Sequence, residues 1–192
     1  MLILASASPR RLELLKQIGL VPDLVVAPAI EETARRGELP RDLALRLAAE
    51  KLDAACALPQ VRAVGEGAVI LAADTVVACG RRSLPKAETA ADARRCLALL
   101  SGRRHRVYTA ISVRAGETLR SRIVETHVGV KRLTDGQIET YLASGEWQGK
   151  AGGYAIQGRA AAFITGLNGS YTNVVGLPLY ETAGLLGAAG IL

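Results

Sequence analysis

The chain has 192 residues, 49% of them hydrophobic and 22% charged, with 24 Lys and Arg against 18 Asp and Glu. That length and composition suit one domain with an ample core and exclude a disordered tail. The net charge of +6 points to an anionic partner, but aromatics at 4% offer little for a base-stacking platform, so a basic nucleic-acid-binding module is the weaker reading.

The first apolar run, Leu2-Ile3-Leu4-Ala5, predicts a short buried strand. Ser8 suits an N-cap and Pro9 a first helical position, and Leu12, Leu14, Leu15 and Ile18 recur at helical spacing up to Gly19. Arg10 and Arg11 are thus delivered at a helix start directly after a strand, where free N–H groups and the helix dipole favour anions. The plain alternative is a solvated face. Leu24–Val26 predicts a second strand, followed by the acidic turn Glu31-Glu32-Thr33 and a polar loop to Pro40. A helix is expected from Arg41 to about Ala57, with Leu43, Leu47 and Ala48 inward and Pro59 beyond its end.

Val69–Val77 is a nearly continuous apolar run broken by Asp74 and Thr75, as expected of a strand buried on both faces. A further helix is expected over about Ala90–Leu100, then strands over Val107–Val113 and about Ile123–Val130. Thr134 and Gln137 fit a capping box opening a helix to about Ala143. Ala160–Ile164 and Ser170–Val175 flank Asn168-Gly169, which reads as a hairpin turn, and Pro178 opens a final helix. Helices alternating with strands early and hairpins late predict an α/β architecture with a mixed sheet, in one domain over residues 1–192.

Asp74 is the leading chemical candidate, because a carboxylate in a buried apolar strand is costly unless it is paired, hydrogen-bonded or bound to a metal. A structural Asp accepting loop N–H bonds is the alternative. Glu31 and Glu32, with Asp74, offer oxygen ligands for Mg²⁺ or Mn²⁺. Lys51 and Lys86 each read alone as surface lysines, and Pro85 stiffens the approach to Lys86. Three cysteines without a CxxC pair and two separated histidines indicate neither a disulfide framework nor a zinc site. The opening apolar run is too short for a leader, and no charge-free window reaches membrane-spanning length, so a cytoplasmic protein without membrane association is expected. The glycine-rich segment Gly149–Gly158 lacks Walker A spacing, and no dinucleotide fingerprint follows the first strand.

Taken together and in order, these segments resemble the Maf family of nucleoside triphosphate pyrophosphatases. The likeness rests on Ser6-Ala7-Ser8-Pro9-Arg10-Arg11, Glu31-Glu32-Thr33, Ala49-Glu50-Lys51, Ala73-Asp74-Thr75-Val76-Val77 and Leu99-Leu100-Ser101-Gly102. It continues through Lys150-Ala151-Gly152-Gly153-Tyr154-Ala155-Ile156-Gln157-Gly158 and Gly169–Pro178. Glu31 stands where many members have Asp, and Leu-Pro-Lys-Ala stands where many have Gly-Lys-Pro. The resemblance implies a Maf/inosine triphosphatase-like fold: an elongated, curved mixed sheet flanked by helices around a central cleft.

It also implies hydrolysis of a nucleoside triphosphate between the α and β phosphates, with a divalent metal and a homodimer. Asp74 would be the proton acceptor and, with Glu32, would hold the metal. Arg11, Lys51 and Lys86 would contact phosphates, with Ser8 grouped beside them, and Arg10, Thr75 and Gln157 would bear on base preference. Ile156-Gln157-Gly158 looks like the branch acting on dTTP and UTP rather than on 7-methyl-GTP. The rival within the resemblance is a nucleotide-sensing regulator of septum formation working through a protein partner.

Overall fold

A computed structural model describes residues 1–65 and 67–192. Its centre is a seven-stranded mixed sheet in the order β2-β1-β3-β5-β6-β7, with β4 pairing β3. β1 (Leu2–Ala5) lies between β2 (Leu24–Val26) and β3 (Val69–Cys79), parallel to both. β5 (Arg104–Ala115), β6 (Thr118–Val130) and β7 (Ile164–Asn168) continue the sheet, each antiparallel to the strand before it in the order β3-β5-β6-β7. β4 (Arg82–Leu84) pairs antiparallel with the end of β3.

Parallel strands need crossovers, and α1 (Pro9–Gln17) and α2 (Pro40–Ala57) lie on the chain between them. α1 packs Leu14 and Leu15 with Leu2, Leu4, Leu71 and Ala73. α2 buries Leu43, Ala44, Leu47 and Ala48 with Val76 and Ala78 on the sheet's other face. Its next buried positions along the same stripe are Lys51, Leu52 and Ala55. Lys51 is therefore an inward residue, four positions after Leu47, and the surface reading of it is corrected. α4 (Ala90–Leu100) and α5 (Asp135–Ala143) both start with complete capping boxes, Thr89/Asp92 and the expected Thr134/Gln137. α7 (Leu179–Gly187) packs against β5 and β6, and its Leu185 and Leu186 are buried in the same cluster as Leu2, Leu71 and Ile111.

Three expectations differ from the structure. A short helix, α3 (Pro59–Arg62), follows α2 instead of open loop, because Pro59 is acceptable at a helix start as well as after a helix end. The β5–β6 hairpin is longer than its apolar pattern, since Thr118–Arg122 is solvent-exposed and held by pairing to β5 alone. The Asn168-Gly169 hairpin is absent. Arg159–Phe163 is a 3₁₀ turn, β7 pairs with β6, and Ser170–Val175 is not a strand but caps and forms α6 (Tyr171–Val175). The Ser170 hydroxyl accepts the Asn173 N–H at 3.2 Å, so the local cap outweighed the turn signal.

Candidate active site

The site exists because two strands stop short of each other along β3. β1 pairs with β3 only as far as Ala72, and β4 begins pairing at Val77. Ala73–Val76 lie between these registers, and there Asp74 and Thr75 face different sides of the sheet while β5 holds their other edge through Ala110 and Thr109. Asp74 sits mid-strand rather than at the end of its own strand. The crevice opens at the carboxyl end of β1, where a ligand site in a parallel sheet is expected.

The cleft there encloses about 350 Å³. The site residues that the resemblance implies all border it: Ser8, Arg10 and Arg11 from α1 and its entry, Glu32 and Lys51 across from them. Asp74 and Thr75 form its floor, and Lys86 and Gln157 stand on the loops above. Lys51 Nζ donates to Asp74 Oδ1 at 2.5 Å and lies 2.7 Å from Glu32 Oε1, while Lys86 pairs with the other oxygen of Glu32. Asp74 is 4% exposed and Lys51 8%, so this charge-assisted bond is shielded from water. Burial by itself would raise the Glu32 carboxyl; the hydrogen bonds and charges of Lys51 and Lys86 outweigh it and hold Glu32 below its ordinary value.

Arg11 is buried on α1. It donates Nε to the Gly176 carbonyl at 2.8 Å, Nη1 to Ser6 Oγ at 3.1 Å and Nη2 to Thr75 Oγ1 at 3.2 Å. Burial pushes its guanidinium below the usual value, with the charge of Asp74 acting in the opposite direction. Arg10 donates Nε to the Val175 carbonyl at 3.3 Å. Both acceptors lie at the C-terminal end of α6, where carbonyls lack helical partners. Ser8 occupies the N-cap position of α1 but makes no side-chain capping bond; its N–H donates to Ser6 Oγ at 3.1 Å.

The glycine-rich loop is fixed to the Lys86 segment by backbone pairing. Ala87 N–H donates to the Lys150 carbonyl at 3.1 Å, Gly149 N–H to Ala87 at 2.9 Å and Gly152 N–H to Pro85 at 3.1 Å. Gly152 has φ +70°, and a Cβ there would meet Val77 Cγ1 at 2.8 Å, so glycine is required for the loop to lie on β3. Several supporting residues escaped sequence reading. Thr109 Oγ1 lies 2.9 Å from Thr75 Oγ1 and donates to the Asn173 carbonyl at 2.9 Å, while Asn173 Nδ2 reaches the Val107 carbonyl at 3.1 Å and Thr126 Oγ1 at 2.8 Å. His105 meets Tyr154 Oη at 2.7 Å behind the loop. Periodicity marks such residues only as buried; their partners are distant along the chain.

The carboxylates that converge are Glu32 and Asp74, brought together on one ammonium. Glu31 instead bonds the hydroxyl of Thr33 in the exposed turn. No cluster of three or more His, Cys, Asp or Glu suited to a metal occurs among the described residues. The donor set nonetheless fits Mg²⁺ or Mn²⁺ of the kind that keeps waters and takes one or two carboxylates plus substrate phosphate oxygens. Lys51 Nζ marks the cationic point between those carboxylates.

Fold and site together define an α/β protein whose cleft sets two carboxylates among five cationic side chains, an arrangement suited to a small polyphosphate. The sequence matches the family described as Maf-like protein over residues 1–189. The chain belongs to the Maf family. It is 58% identical over 189 residues to a protein named dTTP/UTP pyrophosphatase from Rhodopseudomonas palustris (strain BisB18), covering 98% of this chain and 91% of the relative. Proteins of the same name are similar in Novosphingobium aromaticivorans, at 58% identity over 99% of this chain and 92% of theirs, and in Mesorhizobium japonicum, at 57% over 98% and 91%.

Proposed function

We infer that this chain is a nucleoside triphosphate pyrophosphatase that hydrolyses dTTP and UTP to the monophosphate and pyrophosphate. The observation carrying this reading is the cluster in which Lys51 joins Asp74 and Glu32 inside a cleft that Arg10, Arg11, Lys86 and Lys150 also line. Asp74 takes a proton from water as the water oxygen attacks the α phosphorus. The bond from that phosphorus to the bridging oxygen breaks, and its electron pair leaves with pyrophosphate. Arg11, Lys51 and Lys86 offset the charge of the phosphates, with the Ser8 hydroxyl as a further donor. A divalent cation held by Glu32 and Asp74 would supply further charge neutralisation at the phosphate oxygens.

Arg10, Thr75 and Gln157 bear on base choice, Gln157 offering both a donor and an acceptor from a loop whose backbone is pinned by Tyr141 and Glu146. The chain acts as one unit over residues 1–192, as a cytoplasmic homodimer. No helix among the described residues is long and apolar enough to cross a membrane, and Cys56, Cys79 and Cys96 are free thiols, as a reducing compartment requires. The test is pyrophosphate release from dTTP, UTP, CTP, GTP and 7-methyl-GTP, with Mg²⁺ or Mn²⁺ and with chelator. Metal-dependent release favouring dTTP and UTP is expected; no release from any of them by folded protein overturns the reading.

A further inference from the structure

The cations of the cleft fall into two groups. Lys51 and Lys86 are bound to carboxylates, and each of the three Arg11 guanidinium nitrogens already makes one hydrogen bond, to Gly176, Ser6 and Thr75. Lys150 differs. Its ammonium donates to the Gln148 carbonyl at 3.0 Å and has no carboxylate partner among the described residues. Its neighbour in charge, Arg10, is likewise engaged with a carbonyl and no carboxylate. Burial, then the nearby Arg10 charge, lowers the Lys150 pKa, as expected where two cations share a site without a counter-ion.

The backbone that carries Lys150 is held on both sides. Its N–H donates to Trp147 at 3.1 Å, and its carbonyl accepts from Ala87 and Gly153 at 3.1 and 2.9 Å. Trp147 is buried and donates Nε1 to the Leu142 carbonyl at 2.8 Å. A long cationic side chain is thus presented to the cleft from a fixed base, which lowers the ordering cost of binding an anion.

Direction along the cleft follows from the carboxylates. Water and metal belong beside Asp74 and Glu32, so the α phosphate lies there. The phosphates that depart carry most of the negative charge and are disfavoured beside carboxylates, so they extend toward cations that lack them. We propose that Lys150 is a further phosphate-binding residue that receives the β,γ-diphosphate portion of the substrate and then the free pyrophosphate. The inference rests on the pyrophosphatase reading for its direction, but its binding test does not depend on turnover.

The experiment is calorimetric binding of pyrophosphate and of dTMP to the full chain, wild type against Lys150→Met, Lys150→Gln and Lys150→Arg, with KM and kcat for dTTP measured alongside. One charge-assisted contact is lost, so pyrophosphate affinity should fall about tenfold in Lys150→Met and Lys150→Gln. dTMP affinity should hold, KM for dTTP should rise more than kcat falls, and Lys150→Arg should restore most of the loss. Lys150→Gln gives the same reading if Lys150→Met folds poorly. Equal pyrophosphate affinity in wild type and the folded neutral variants overturns the proposal, as does equal weakening of dTMP. Wild-type binding of pyrophosphate without any turnover would count against the pyrophosphatase reading and leave Lys150 as an anion-binding residue.

Discussion

Asp74→Asn separates the chemical work of the carboxylate from its structural work. The amide keeps the shape and an oxygen that can still accept from Lys51, and Lys51 retains Glu32 at 2.7 Å as an ionic partner. Stability should therefore fall by about 1–2 kcal/mol, less than the roughly 3–5 kcal/mol typical when a buried charge is left without its partner. Five cationic side chains, Arg10, Arg11, Lys51, Lys86 and Lys150, line the cleft against Glu32 and Asp74, a surplus of three positive charges that the substitution raises to four. Pyrophosphate should accordingly bind at least as tightly as in wild type. Turnover should move in the opposite direction, with kcat for dTTP falling about 10²- to 10⁴-fold through loss of the general base. The assay is steady-state pyrophosphate release at saturating dTTP, with urea unfolding and pyrophosphate binding measured on the same preparation. A kcat within about tenfold of wild type, in folded protein that binds pyrophosphate, would refute the assignment of Asp74 as proton acceptor.

Other substitutions probe the surrounding frame. Gln157→Glu removes a donor from the loop over the cleft and should change the ratio of kcat/KM between dTTP and the purine nucleotides more than the total activity; an unchanged substrate profile on the nucleotide panel would count against a role in base choice. His105 is buried and its pKa is pushed down from 6.5 to about 4, so the unfolded chain binds the extra proton first as pH falls. Stability from this group is present above pH 6.5, declines as pH drops toward 4 and is then lost, an effect of about 3 kcal/mol. Urea midpoints at pH 7 and pH 4.5 should show that slope reduced in His105→Gln, and equal slopes would sink the explanation. Gly152→Ala places a Cβ 2.8 Å from Val77 Cγ1 at φ +70°. It should cost about 2–4 kcal/mol in urea unfolding, and a loss under about 0.5 kcal/mol would show that the loop does not rest on β3 as described.

Local rules read directly from the residues account for much of the frame. The buried runs of β1 and β3, the 3.6-residue stripe of α2 and the Thr134/Gln137 box each carry their outcome in neighbouring residues, because backbone geometry and burial set the spacing. Asp74 was legible for the same reason: a carboxylate inside an apolar strand announces a cost that something must offset. Tertiary structure decided the rest. Lys51 is an ordinary helix lysine until α2 lays it against Asp74, 23 positions away, and Glu32 joins them only because the β2–α2 connection returns over the cleft. Asn168-Gly169 promised a hairpin by its local chemistry, yet pairing of β7 with β6 and the Ser170 cap made a strand followed by a helix. Lys150 heads a glycine-rich motif in the chain, but a cation's lack of a counter-charge is a property of what surrounds it in space. Periodicity reports which face a residue occupies; only the folded chain decides which charges share it.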